Sequence, residues 1–288
     1  MKRKEIIAIL ILLVIVFVGI SVMKHYSSTD QKDSSDVETT GATSNTFWVY
    51  YNKATKFRHA GVTDSAIVEY VEALKFNPDH HDALYYLGSM YMKAEEYDKA
   101  VQIWKRLINV NPESERTFKQ LGDLYFCRGA GKNFNPEKAR MYFLRATNLN
   151  REAMEPLIKL GEVALYQNRS DEASGIFTQL SQTNPKNAEA HFMLGYLYWK
   201  THRDKEAGNE LSLTMEYADQ LHVMTDENGG TAISGNNKDA TGENGCSIFV
   251  PWIKRQIIKI NEDDIQSDAN HTFSIFNTYL TRLRAPTP

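Results

Sequence analysis

Cysteine is scarce: Cys127 and Cys246 are the chain's two, far apart among 288 residues. That number rules out a disulfide framework, and the spacing rules out a paired-thiolate metal site. They stand as two free thiols or, in an oxidising compartment, as one disulfide. An excess of positive charge is also missing. Thirty-three Lys and Arg against 36 Asp and Glu leave a net charge of -3, so nucleic acid is not an expected partner. Catalytic constellations do not stand out either. Gly129-Ala130-Gly131-Lys132 lacks the glycine spacing and the hydroxyl residue of a phosphate loop. His80 and His81 are adjacent rather than one helical turn apart, which does not suit one metal ion. Glu262-Asp263-Asp264 lacks the alternating ligands and glycine of a calcium loop. Asn168-Arg169-Ser170 and Asn270-His271-Thr272 fit a glycosylation acceptor, which matters only in a eukaryotic secretory pathway. The expectation is no enzyme activity, no catalytic residue, no metal, no cofactor and no small-molecule substrate.

Long apolar runs are absent except for one. Lys2, Arg3 and Lys4 precede Ile6 to Met23, 18 residues without a charge. As a helix that run spans roughly 27 Å, close to the hydrocarbon thickness of a bilayer. The three cations should stay cytoplasmic and send the bulk of the chain across the membrane. A cleaved signal peptide competes, with Gly19 and Ser21 as a small-x-small pair. The apolar run continues past it, which favours an uncleaved signal anchor over residues 1–23. Residues 24–46 are Ser, Thr and Asp-rich with almost nothing apolar to bury. They read as a flexible linker with an r.m.s. span of about 25–30 Å.

What the sequence does have is self-similarity. Leu87-Gly88, Leu121-Gly122, Leu160-Gly161 and Leu194-Gly195 are spaced 34, 39 and 34 residues apart. Ala100, Ala139, Ala173 and Ala207 follow them at spacings of 39, 34 and 34. The five extra residues therefore lie between Gly122 and Ala139, where residues 129–134 offer a place for them. Asn77, Asn111, Asn150 and Asn184 keep the same step, three of them followed by Pro. Each unit reads as two amphipathic helices with apolar positions three and four apart. The prolines mark where second helices stop. Asn135 and Pro136 read as the cap and first residue of the second helix after the insertion.

This pattern resembles the tetratricopeptide repeat, with its period of 34, its Leu-Gly pair and its Ala and Pro positions. The second repeat matches through Leu84, Leu87, Gly88, Tyr91, Ala100, Trp104 and Pro112. The third, fourth and fifth match through Phe118, Leu121, Gly122 and Phe143, through Leu160, Gly161, Phe177 and Pro185, and through Leu194, Gly195, Tyr198 and Leu211. A degenerate first repeat carries Tyr50, Ala54, Ala66, Tyr70 and Pro78. The resemblance implies an all-α solenoid of about five helical hairpins over residues 47–221. Their bounds are near 47–80, 81–114, 115–153, 154–187 and 188–221. The C-terminal region, 222–288, opens with a Gly/Asn/Asp-rich loop at 225–247 that reads as disordered. Two helices follow, near Val250–Ile260 and Thr272–Leu283, and read as a capping hairpin over the last repeat; the alternative is a partner-docking element.

In this family the first helices of successive repeats line a concave face. Offsets of -5, -2, +2, +5 and +6 from each Leu of the Leu-Gly pair locate it here. The fourth and fifth repeats thereby contribute Glu155, Glu162 and Glu189 among others. Aromatics, Met and cations recur on that face, the residue types enriched at binding hot spots. The expected partner-binding groove is Trp48, Tyr51, Tyr85, Met92, Lys119, Tyr166, Phe192, Tyr196 and Trp199. Its expected occupant is a peptide or helix of another protein. The expected role is a membrane-tethered scaffold or assembly factor with most of the chain periplasmic or extracytoplasmic. Membrane-anchored repeat proteins of cytochrome c, pilus and envelope assembly have similar layouts. The alternative is a recruiting or regulatory subunit of a membrane enzyme.

Overall fold

The computed structural model describes residues 45–218, Phe249, Ile253 and residues 265–285. The expected anchor, residues 24–44 of the linker, the 225–247 loop and most of the Val250–Ile260 helix lie outside them; residues 45 and 46, expected in the linker, are helical. Among the described residues no helix is long and apolar enough to cross a membrane, and no strand occurs. Ten helices pair as five hairpins. They are α1 (45–59) with α2 (Thr63–Phe76), α3 (His81–Lys93) with α4 (Tyr97–Val110), and α5 (Glu115–Tyr125) with α6 (Pro136–Leu149). Then come α7 (Met154–Tyr166) with α8 (Ser170–Thr183), and α9 (Ala188–Lys200) with α10 (Asp204–Glu216). A long C-terminal helix, α11 (Ile265–Arg284), completes the set.

The repeated residues explain themselves in this stack. Each glycine of a Leu-Gly pair is a notch for a ring. A methyl group on Gly88 would strike the indole of Trp104, and one on Gly122 or Gly161 would lie 2.5 or 2.6 Å from Phe143 or Phe177. No side chain fits in that space, so the first and second helices of a hairpin close onto one large buried ring. In the first hairpin Ala54 and Tyr70 occupy the corresponding positions, both fully buried. The asparagines that end second helices fold the chain back. Asn111, Asn150 and Asn184 each accept, through Oδ1, the backbone N–H two residues on, at 3.2–3.3 Å. This is the local bond that makes Asn a turn residue.

The inserted residues form a 3-10 turn, Arg128–Asn133, whose Gly131 has φ +53°. Asn135 Oδ1 then accepts from Lys138 N at 3.0 Å, and Pro136 starts α6. Elsewhere the turn inside a hairpin carries one left-handed residue: Gly61, Glu95, Asn168 or His202, with φ from 59° to 74°. That conformation ends a first helix sharply and lets the second fold back along it.

The fifth hairpin differs from the others. At the register of Trp104, Phe143 and Phe177, α10 carries Leu211. The ring over Gly195 comes instead from Phe273 of α11, 2.7 Å from where a methyl on that glycine would sit. Helix α11 begins seven residues before the expected Thr272. It packs on α10 and α9 and also reaches back to α7. It therefore does more than cover the last repeat. It crosses the first-helix side of the last two.

Candidate partner-binding face

The first helices touch one another through polar and aromatic pairs about one repeat apart. Arg116 of α5 pairs with Asp82 of α3 and lies over the Tyr85 ring, with its guanidinium carbon 4.2 Å from the centroid. Gln120 donates to Tyr85 Oη at 3.2 Å. Lys119 bridges Asp123 of its own helix, at 3.4 Å, and Glu155 of α7. Phe126, which caps α5, meets Tyr166 of α7 edge-to-face at 5.7 Å. The first helices thus form one continuous face, and the nine residues expected to line a groove fall on it in three different states.

The first zone, repeats 1 and 2, is the open one. Trp48 is 45 % exposed. It stands edge-on to Tyr51 at 5.5 Å and to His80 at 5.6 Å, with buried Phe47 beneath. Tyr51 is half-buried, and burial together with the nearby Asp82 charge pushes its phenol up to about 12. Tyr85 is half-buried beneath Arg116. Met92 is corrected here: in the last turn of α3, it is 4 % exposed and belongs to the buried core of the stack.

The middle zone is a buried charged band. Lys119 sits in it with its amine held above the usual range. Burial alone would lower it, and Asp123 and Glu155 more than reverse that. Lys159 donates to Glu162 Oε2 at 2.7 Å, and the two are 7 % and 1 % exposed. Glu189 of α9, 7 % exposed, is raised well above the carboxylate range, by burial first and then by the charge of Glu162. The remaining oxygens, Glu162 Oε1 and Glu189 Oε1, have no hydrogen-bond partner. The groove register named Glu162 and Glu189, but sequence reasoning passed over them because spacing does not show burial.

The far zone is covered by the chain itself. Phe192 and Tyr196 are 0 % and 1 % exposed, a correction to their expected place on an open groove. The reason is α11. Phe276 meets Phe192 at 5.1 Å and Tyr196 at 4.9 Å, both edge-to-face, and Tyr196 Oη donates to Asn277 Oδ1 at 2.8 Å. Burial pushes the Tyr196 phenol up to about 12. Trp199 is half-buried and stacks on Tyr196 at 6.1 Å. Tyr166 Oη donates to the Leu283 carbonyl at 3.1 Å. Arg284 donates to the carbonyls of Tyr166 and Leu165 at 2.8 and 2.5 Å, satisfying the orphan end of α7.

Residues 82–114 and 158–212 match two family models, each described as tetratricopeptide repeat. Within those two segments the solenoid matches the tetratricopeptide repeat. The chain is 26% identical over 158 residues to the anaphase-promoting complex subunit CDC16 of Saccharomyces cerevisiae, covering 52% of this chain and 18% of that one. It is 25% identical over 107 residues to the photosystem I assembly protein Ycf3 of Prochlorococcus marinus, covering 35% and 62%. It thus spans less than a fifth of the first and about three fifths of the second. Among solved structures, a MamA protein superposes with a TM-score of 0.54 at 23% identity, over 62% of this chain and 94% of that one. Pseudomonas aeruginosa pilF superposes with a TM-score of 0.53 at 17% identity, over 84% and 93%. At these identities the structural likeness speaks to the fold alone.

Proposed function

We propose that this protein is a membrane-tethered scaffold or assembly factor that holds a peptide or helix of a partner on the open first-helix face of repeats 1 and 2. The observation that carries the reading is Trp48. It is a large ring left 45 % exposed beside Tyr51 on the first-helix face, where Phe192 and Tyr196 are buried. Exposed Trp and Tyr beside Arg are the usual energetic centre of a protein interface. The chemistry of this face is recognition and needs no catalytic step. Assembly is the named role of one relative, the Prochlorococcus photosystem I assembly protein. The tether is Ile6–Met23, with residues 24–44 as its linker and the repeats on the extracytoplasmic side.

The test is affinity capture from solubilised membranes with the full-length chain and with Trp48→Ala. A ring this exposed contributes little to folding, so the melting temperature should hardly move. A hot-spot ring is worth about 2 kcal/mol, so the captured partner should fall roughly thirtyfold. Equal capture by both proteins refutes the open-face reading.

A further inference from the structure

Buried charge is costly unless it is paired, and an unpartnered buried oxygen in a native fold calls for an explanation. The band on α5, α7 and α9 sets two ammonium groups, Lys119 and Lys159, against four carboxylates: Asp123, Glu155, Glu162 and Glu189. Lys119 is taken up by Asp123 and Glu155, and Lys159 by Glu162 Oε2. Glu162 Oε1 and Glu189 Oε1, on two adjacent first helices, are both buried and meet no donor from any residue outside the pair.

We propose that the Glu162–Glu189 pair is a binding site for an arginine side chain of the partner peptide, seated between α7 and α9. The site deepens the reading of the first-helix face as a peptide-binding surface and rests on it. A metal ion is the weaker fit, because no group of three or more His, Cys, Asp or Glu stands ready for one among the described residues. A guanidinium suits two carboxylates on separate helices, since its planar fork donates in two directions at once. The approach is directional. On α7 the stripe Glu155, Lys159, Glu162, Tyr166 runs from an exposed end to a closed one. The Glu155 side chain is 36% exposed, whereas Tyr166 is tied to Leu283 and Arg284. A peptide lying on the open face of repeats 1 and 2 would reach the pair from the Glu155 end, its arginine entering past Lys159, which is 7 % exposed.

A proton takes the place of the cation in the isolated chain. Glu189 lies within hydrogen-bonding reach of Glu162, and its carboxyl is held protonated well above the usual range. An arriving guanidinium favours the ionised carboxylate, so the proton leaves as the arginine enters.

The experiment uses the full-length chain and a fluorescein-labelled nonapeptide pool with a fixed central Arg and randomised flanks. A matched pool carries citrulline instead. The Arg pool should bind at least about tenfold more tightly, as charged hydrogen bonds of this kind imply. Calorimetry in two buffers of different ionisation enthalpy should show about one proton released per peptide bound. Glu189→Gln leaves Lys159 paired with Glu162. It should erase the Arg preference and raise the melting temperature at pH 8, because the variant no longer pays to ionise a buried acid. A lower melting temperature in Glu189→Gln, with the Arg preference intact, overturns the proposal and makes the pair a structural contact. If the pools bind alike and Tyr85→Ala weakens both, the peptide face stands and the arginine site falls. If neither pool binds, the arginine site falls as well.

Discussion

Phe273→Ala is the substitution that weighs most on the fold. Phe273 is fully buried. Its ring sits in the Gly195 notch and contacts Phe192 edge-to-face at 5.4 Å and Tyr196 at 6.4 Å. Truncating such a ring removes its transfer free energy and leaves a cavity, about 3–5 kcal/mol in all. The loss should lie in the upper part of that range. The walls of this cavity are stiff rings and a helix backbone, which cannot collapse into it. In a repeat array each unit is held by its neighbours alone. The damage should therefore stay at the C-terminal end: α11 detaches, repeat 5 frays, and repeats 1–3 hold. Urea unfolding followed by far-ultraviolet ellipticity and by tryptophan fluorescence separates these events, since Trp199 stacks on Tyr196 in the affected region. The two signals, coincident in the wild type, should separate in the variant, with fluorescence changing first. A loss under about 1 kcal/mol, less than burial of one aliphatic side chain, would show that the notch is not filled by this ring.

Two further outcomes follow from local geometry. His191 bonds Glu210 Oε2 at 2.6 Å and the Pro185 carbonyl at 2.8 Å. Burial lowers its pKa, but these two acceptors more than reverse that and raise it above the ordinary imidazole value of 6.5. The stability it brings is full below 6.5 and is lost as pH rises through the higher folded value. The wild-type melting temperature should therefore fall relative to that of His191→Gln as pH climbs from 6.5 to the folded value and level off above it, and parallel profiles would refute the assignment. His202, exposed with φ 59°, occupies a turn position where Gly61 serves the first hairpin. His202→Gly should stabilise the chain by about 0.5–1 kcal/mol, read from the urea midpoint, because the left-handed strain exceeds the added backbone entropy. A lower midpoint would contradict this.

Much of the fold was legible because it is written locally. The Leu-Gly pairs, the alanines and the asparagines repeat in step. Each serves its own hairpin: a notch, a close helix contact, a turn. The insertion was placed correctly for the same reason, since Asn135 and Pro136 announce a helix start whatever surrounds them. The fate of the face was not legible. Phe192 and Tyr196 lie on the first helix at groove positions, and nothing within their own repeat hides them. What hides them is Phe276, about 80 residues later, and that pairing has no period. One signal did exist. Leu211 stands where three repeats carry Trp or Phe, while Phe273, Phe276 and Leu280 form an apolar stripe without a repeat of its own. A missing ring and a spare set of rings belong together. The charged band was hidden differently, since a glutamate on a helix face reads as solvated until its neighbours close over it.

The exchange of Phe273 for a ring from α10 also sets the length of the array. A solenoid could in principle add hairpins indefinitely, because every unit presents the same two faces to the next. Here the last second helix brings a leucine that cannot fill its own notch. The vacant half of the contact is claimed by a helix that follows no repeat register and turns back toward α7. Copying the fifth hairpin in tandem would give two notches and one helix to serve them, leaving an unfilled joint in the middle of the stack. A single undersized side chain thereby acts as punctuation, fixing where counting stops.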